Sequence, residues 1–292
     1  MQIKNKDDFW KTIIGDSTDN VEKLYKVLSA RGFFLELKDG IIYVLDNNHI
    51  EDFDYLDKIL KESGIGHLKI LHERRKNVNV IDKWDGHLRT ETHIVKDGVI
   101  ELDNLSRTTD LIALITNTIV TDQIGYVCCW TGGTNPWWRF LNRVNGEKVP
   151  VKELETYIAR FIRALTACGM GTAVSCDGNH RKLARKVWIG FEWKGNDMFY
   201  KAICEKVLNE RFNVNFSLEI PLYKENQYGL YYKLNKAADY LFENREYFRN
   251  LKKEFYKRYT DNYLSKNTND ERLVIDFDKY LNEEVKWEVK CA

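Results

Sequence analysis

Long apolar runs are missing from this 292-residue chain. The longest, Leu111 to Val120, is about half of what a bilayer span needs and is broken by Thr116, Asn117 and Thr118. That excludes a transmembrane helix. The first thirty residues carry acids and lack an apolar block ahead of a small-residue cleavage site, so no secretory signal is expected. Cysteine is sparse: six residues, at 128, 129, 168, 176, 204 and 291, form no CxxC pair and no ladder. A chain this long has no need of disulfide staples, and reduced thiols in a cytoplasm are expected. A charge of one sign is lacking too. Forty-five basic against forty-four acidic side chains leave a formal net charge of +1, so no global field recruits nucleic acid or an anionic membrane.

Self-sufficient catalytic motifs are equally scarce. GxSxG and HExxH are absent. The TGGTNP loop at 131–136 lacks the Lys-Ser/Thr pair of a phosphate loop, and the CGMGT run at 168–172 ends a helix, where the dipole repels an anion. The remaining composition, 43% apolar and 30% charged, is that of a folded water-soluble protein.

Local patterning predicts an α+β chain of mixed, mostly antiparallel sheets with packed helices, arranged as two closely associated modules. The first, residues 1–110, has 17 basic against 21 acidic side chains; the second, 111–292, has 28 against 23. Apolar spacing predicts helices around Phe9 to Ile14, from the cap-like residues 17–20 to Gly32, and over 50–63. Residues 33–46 read as a hairpin turning at Asp39-Gly40. Strands are expected at 67–72, 77–84, 87–95 and 99–105, with turns at Asp85-Gly86 and Asp97-Gly98. In the second module a helix is expected at about 109–121, then an aromatic loop, a helix at 151–168, strands at 170–176 and 186–193, a helix at 197–210 and a strand near 213–220. A long helix near 235–265 would place Leu241, Phe248, Leu251, Phe255 and Tyr259 on one stripe and Arg245, Arg249, Lys252, Lys253 and Lys257 beside it.

Three sites could carry chemistry. Strand 87–93 puts His87, Arg89, Glu91 and His93 on one face, but the two histidines lie roughly 20 Å apart on a straight strand, too far to share one ion. With Asp82 and Asp85 they supply the alternative reading, a nucleic-acid-binding protein or a metal-dependent nuclease-like enzyme. Cys176, Asp177 and His180 bring a thiol, a carboxylate and an imidazole together, yet triads are built from distant segments. Asp177-Gly178-Asn179 read more simply as turn formers between two strands, followed by solvated His180 to Lys182, with His180, Arg181 and Lys182 available to a phosphate or an acidic partner. The helix–strand–strand–helix order after residue 150 shares a supersecondary pattern with LAGLIDADG homing endonucleases, without the acid that binds their metal.

Binding surfaces are better supplied. Eight Trp and sixteen Tyr exceed what the core of such a chain requires, and aromatics with arginine dominate protein interfaces. Two adjacent tryptophans cannot both enter one core from an extended backbone. The interface candidates are therefore Trp130, Trp137, Trp138 and Arg139 of the aromatic loop, His180 and Arg181, and Arg245, Arg249, Lys252 and Lys253 of the C-terminal helix.

In length, in a Lys-, Asn-, Ile- and Tyr-rich composition typical of low-GC phages, and in its Cys- and Trp-bearing middle (YVCCWTGGTNPWWRF at 126–140, CGMGTAVSCDGNHRK at 168–182), the chain resembles the Gabija anti-defence proteins of bacteriophages. The resemblance implies a non-enzymatic inhibitor in the host cytoplasm. It would assemble as an oligomer around the bacterial nuclease and ATPase complex and block DNA binding and cleavage. It implies no catalytic residue, no metal, no cofactor, no membrane and no direct contact with nucleic acid.

Overall fold

The computed structural model describes residues 3–81, 88–102, 150–168, 172–179, 186–191, 203–215, 219–221 and 226–251. Within them the chain is mixed α+β, as its patterning predicts. Helix α1 (Lys6–Ile14) starts at Asn5, whose side chain accepts from the Asp8 N–H at 2.8 Å, and it buries Phe9 and Trp10. Helix α2 (Asn20–Arg31) is capped in the same way by Asp19 and ends at Gly32, φ 112°. Strands β1 (Leu35–Lys38) and β2 (Ile41–Val44) form the expected hairpin, with Asp39 and Gly40 both at positive φ. Helix α3 (Ile50–Ser63) carries Phe53, Leu56, Ile59 and Leu60 into the core.

The next two strands differ from expectation. The patterning predicts four strands over 67–105, but β3 (Gly66–Ile81) and β4 (Leu88–Leu102) are continuous and pair antiparallel along their length. Asp97-Gly98 is strand and not turn, because Gly98 meets the facing backbone where a Cβ would come within 2.6 Å of the Lys69 carbonyl oxygen. Leu71 is a bulge, the one extra residue between the pairs Ile70–Gly98 and His72–Asp97. The first sheet runs β1-β2-β4-β3, with β3 at its edge.

After a single 3-10 turn at Val151–Glu153 comes α4 (Thr156–Ala167), buried on every side because it lies against α2, strand β5 (Thr172–Cys176) and helix α6 (Gln227–Glu243). A second antiparallel sheet, β5-β6-β7, adds β6 (Lys186–Phe191) and β7 (Glu219–Pro221). Between β6 and β7 lies α5 (Lys206–Arg211), wound as a π-helix. The predicted strand near 213–220 begins later, since residues 213–215 are irregular and Asn213 has φ 50°. The predicted long C-terminal helix begins earlier, at Gln227, and is interrupted at Asn244 before residues 245–251 resume helical form. Leu241, Phe248 and Leu251 form its buried stripe; Phe255, Tyr259 and Lys257 lie outside the described residues. The module boundary at 110 lies outside them as well. No helix among the described residues is long and apolar enough to cross a membrane.

One core holds both sequence halves. Ile3 to Leu251 contribute to a single apolar cluster, and a buried ion pair runs through it. Asp52 of α3 meets Arg163 of α4 at 2.8 Å, with both side chains sealed from solvent. The Asp52 carboxylate also accepts from the backbone N–H of His49 at 2.8 Å and of Val151 at 2.6 Å. Arg163 in turn donates to Asn48 Oδ1 at 3.1 Å and lies 4.6 Å over the Phe34 ring. Burial pulls the guanidinium down from its ordinary range and Asp52 pushes it back up. Breaking such a pair from one side strands a charge: Asp52→Ala should cost about 3–5 kcal/mol of unfolding free energy, read from urea melts, while Asp52→Leu with Arg163→Met should recover part of the loss.

Candidate functional site

The chain places two polar arrangements where an all-apolar surface or core would otherwise serve. One is buried at the junction of α4, β5 and α6. Glu155, the residue before α4, accepts the backbone N–H of Asp177 and lies 3.9 Å from the Cys176 thiol. Asp177 folds back so that its carboxylate accepts from the Asn179 N–H at 2.8 Å. Its carbonyl oxygen takes the Tyr231 hydroxyl at 2.8 Å, and the Gln227 amide bridges Asn179 and Tyr231 at 2.8 and 3.1 Å. Tyr157 stacks on Tyr231 with centroids 4.5 Å apart, and Tyr228 closes the edge. Glu155 is 8% exposed and Asp177 4%.

Two carboxyl groups this close and this dry cannot both ionise. Burial first, and the negative Asp177 second, push Glu155 up to about 9, so it is protonated at neutral pH. The same burial raises Tyr157 and Tyr231 well above the usual phenol range. Cys176 is buried, its thiol directed at Glu155. The arrangement excludes solvent and holds the turn after β5 against α4 and α6. Residues 177–179 turn as their sequence predicts, Gly178 with φ 74°, and Cys176, Asp177 and Gly178 are buried there while Asn179 is exposed; His180 to Lys182 lie outside the described residues. Glu155 was missed because nothing local marks it; an acid just ahead of a helix reads as an ordinary terminus.

The second arrangement is exposed. Beyond Gly98 the β3–β4 ladder runs from His72–Asp97 to Ile81–Leu88, roughly 30 Å of two-stranded ribbon. Residues 70 to 77 are exposed on both faces, as are Thr90, Thr92 and Ile94. At its base Arg74 reaches Asp46 at 2.5 Å and Asp97 at 3.1 Å, while His72 meets the other oxygen of Asp97 at 2.8 Å. Lys96 pairs with Glu73 at 3.2 Å, and Thr92 bonds to Asn77. Three large apolar side chains stay in water: Ile70 at 41%, Leu71 at 44% and Ile94 at 46% exposure. These positions went unmarked because the segment was read as separate short strands.

Of the interface candidates, Arg245 lies 4.4 Å over Phe242 and donates to its carbonyl oxygen at 2.8 Å, and Arg249 pairs with Glu246 at 2.8 Å. Both are engaged within the chain. Trp130, Trp137, Trp138, Arg139, His180, Arg181, Lys252 and Lys253 lie outside the described residues, as do Asp82, Asp85 and His87. In the backbone register of β4, Glu91 is paired with Val78 and His93 with Lys76. Among the described residues no three His, Cys, Asp or Glu side chains gather closely enough to hold a metal ion. Comparison with family models, curated proteins and solved structures finds no match for this chain.

The buried carboxyl has a signature in pH. Unfolded, Glu155 ionises near 4.5; folded, near 9. Between those values the unfolded state binds fewer protons, so stability falls as pH rises. Glu155→Gln keeps an acceptor for the Asp177 N–H and a donor toward its carboxylate. Thermal melts from pH 5 to 9 should show the variant gaining several degrees over wild type at the alkaline end and little at pH 5; parallel curves would assign the slope to other groups.

Proposed function

We propose that this chain is a phage-encoded, non-enzymatic inhibitor that acts by occlusion in the host cytoplasm. It binds, as an oligomer, a bacterial antiphage defence complex of the Gabija nuclease and ATPase type and blocks DNA binding and cleavage. The observation that carries this reading is the β3–β4 ribbon. Residues 70–77 with Thr90, Thr92 and Ile94 are exposed and contribute little to the core that anchors them, so this length of backbone and its exposed Ile70, Leu71 and Ile94 are explained by contact with another molecule. Support also comes from the likeness to Gabija anti-defence proteins carried by residues 126–140 and 168–182, which supplies the partner's class.

Occlusion requires area and not a reaction centre: a stable contact buries roughly 1,200–2,000 Å², and repetition in an oligomer multiplies its strength. The dependence on dose follows. Titrated against a purified Gabija complex cutting duplex DNA, the chain should abolish cleavage near equimolar protomers, and light scattering should show one heavier species containing both proteins. Unchanged cleavage at a large excess of chain overturns the reading. So does repeated turnover of DNA or nucleotide by the chain alone.

A further inference from the structure

From the β3–β4 ribbon we infer that the outer edge of β3 is a docking strand for an extended acidic segment of a partner protein, which adds to the sheet beside β3. This rests on the reading of the chain as a binding protein and names the chemistry of what it binds.

Among the described strands β3 is the last in the order β1-β2-β4-β3, so β4 pairs with one side of it at fifteen positions and no described strand pairs with the other side. An edge this long presents main-chain donors and acceptors in the spacing that a further strand matches. The need is mutual. A two-stranded ribbon whose β3 residues 70–77 are exposed is marginal in water, and a third strand with its side chains would supply further contacts.

Charge selects the partner. The exposed stretch of β3 from 69 to 76 reads Lys, Ile, Leu, His, Glu, Arg, Arg, Lys. Lys69 is answered by Glu101 at 3.2 Å, and Arg74 by Asp46 and Asp97. Glu73 is answered by Lys96. Arg75 and Lys76 form no ion pair among the described residues, and as neighbours on a strand they project to opposite faces of the ribbon. A strand laid beside them is favoured if it carries carboxylates on both faces at that level. Four to six residues away, Ile70 and Leu71 ask for apolar side chains on the same partner segment.

Nucleic acid fits less well. Arg75 and Lys76 by themselves make too few phosphate contacts for useful affinity, and three exposed aliphatic side chains find nothing to bury against a phosphate backbone.

The probe is a fluorescent peptide alternating Glu or Asp with Val or Ile, compared with its Lys-substituted counterpart and with a duplex DNA of similar size. The acidic peptide should bind the full chain, slow amide hydrogen exchange along β3, and bind about tenfold more weakly to Arg75→Glu/Lys76→Glu, a change of roughly 1.4 kcal/mol. Arg75→Lys/Lys76→Arg should bind as wild type does, which separates lost charge from lost folding. Equal affinity for the Lys-substituted peptide, tighter binding of the DNA with a steep loss in salt, or peptide binding without β3 protection would each overturn the inference. Against the Gabija complex, an Arg75→Glu/Lys76→Glu chain that inhibits as wild type does overturns the docking strand and leaves the inhibitor standing. Acidic-peptide binding with β3 protection, together with no effect of wild type on the complex, does the reverse.

Discussion

The Asp52–Arg163 pair is the constraint on which the rest of the structure depends. A carboxylate and a guanidinium sealed from solvent are costly unless their polar atoms find partners. Groups from separate parts of the chain supply most of them, though among the described residues not one for the buried Arg163 Nε. His49 and Val151 donate backbone N–H groups to Asp52, Asn48 accepts from Arg163 and ties down Phe34 and Leu45, and the Phe34 ring lies under the guanidinium. Next to it Arg160 reaches Asp239 of α6 and the Phe33 carbonyl oxygen. The cost of burying charge is thereby turned into positional specificity: α4 has one seat between α2, α3 and α6, and displacing it exposes several unmatched groups at once.

With α4 seated, its N-terminus carries Glu155 to the end of β5, and the second buried polar arrangement follows from the first. Glu155 is useful there because it is protonated: it can accept from the Asp177 backbone and tolerate the Asp177 carboxylate beside it. Both arrangements attach loops to helices across the core. Neither opens to solvent, so their chemistry is that of hydrogen-bonded locks holding a frame.

What the frame holds out is the ribbon. Its root is covered by α3 and β2 and stapled by the Asp46–Arg74–Asp97–His72 group; past the Leu71 bulge residues 72–77, Thr90, Thr92 and Ile94 are exposed. A rigid, buried frame and a solvated two-stranded extension are complementary: the frame has stability enough to fix the ribbon's root, and the ribbon is free to present main chain and side chains to another molecule.

Much of the N-terminal half was legible in the sequence. Asp19 and Gly32 bound α2, Asp39-Gly40 turns its hairpin, and the apolar spacing of Phe53, Leu56, Ile59 and Leu60 marks α3, because each signal acts on backbone within a few residues. The α+β class followed from those elements. Gly98 was misread as a turn residue, since Asp-Gly favours a turn locally and only the facing Lys69 backbone reveals why a strand needs glycine there. The two locks and the exposure of the ribbon were decided by tertiary structure alone. Asp52 and Val151 are 99 residues apart, and Glu155 and Asp177 are 22 apart. Whether a charged side chain is a solvated surface group or half of a buried pair depends on which distant segment arrives beside it, and that is set by packing the whole core, not by any local run of residues.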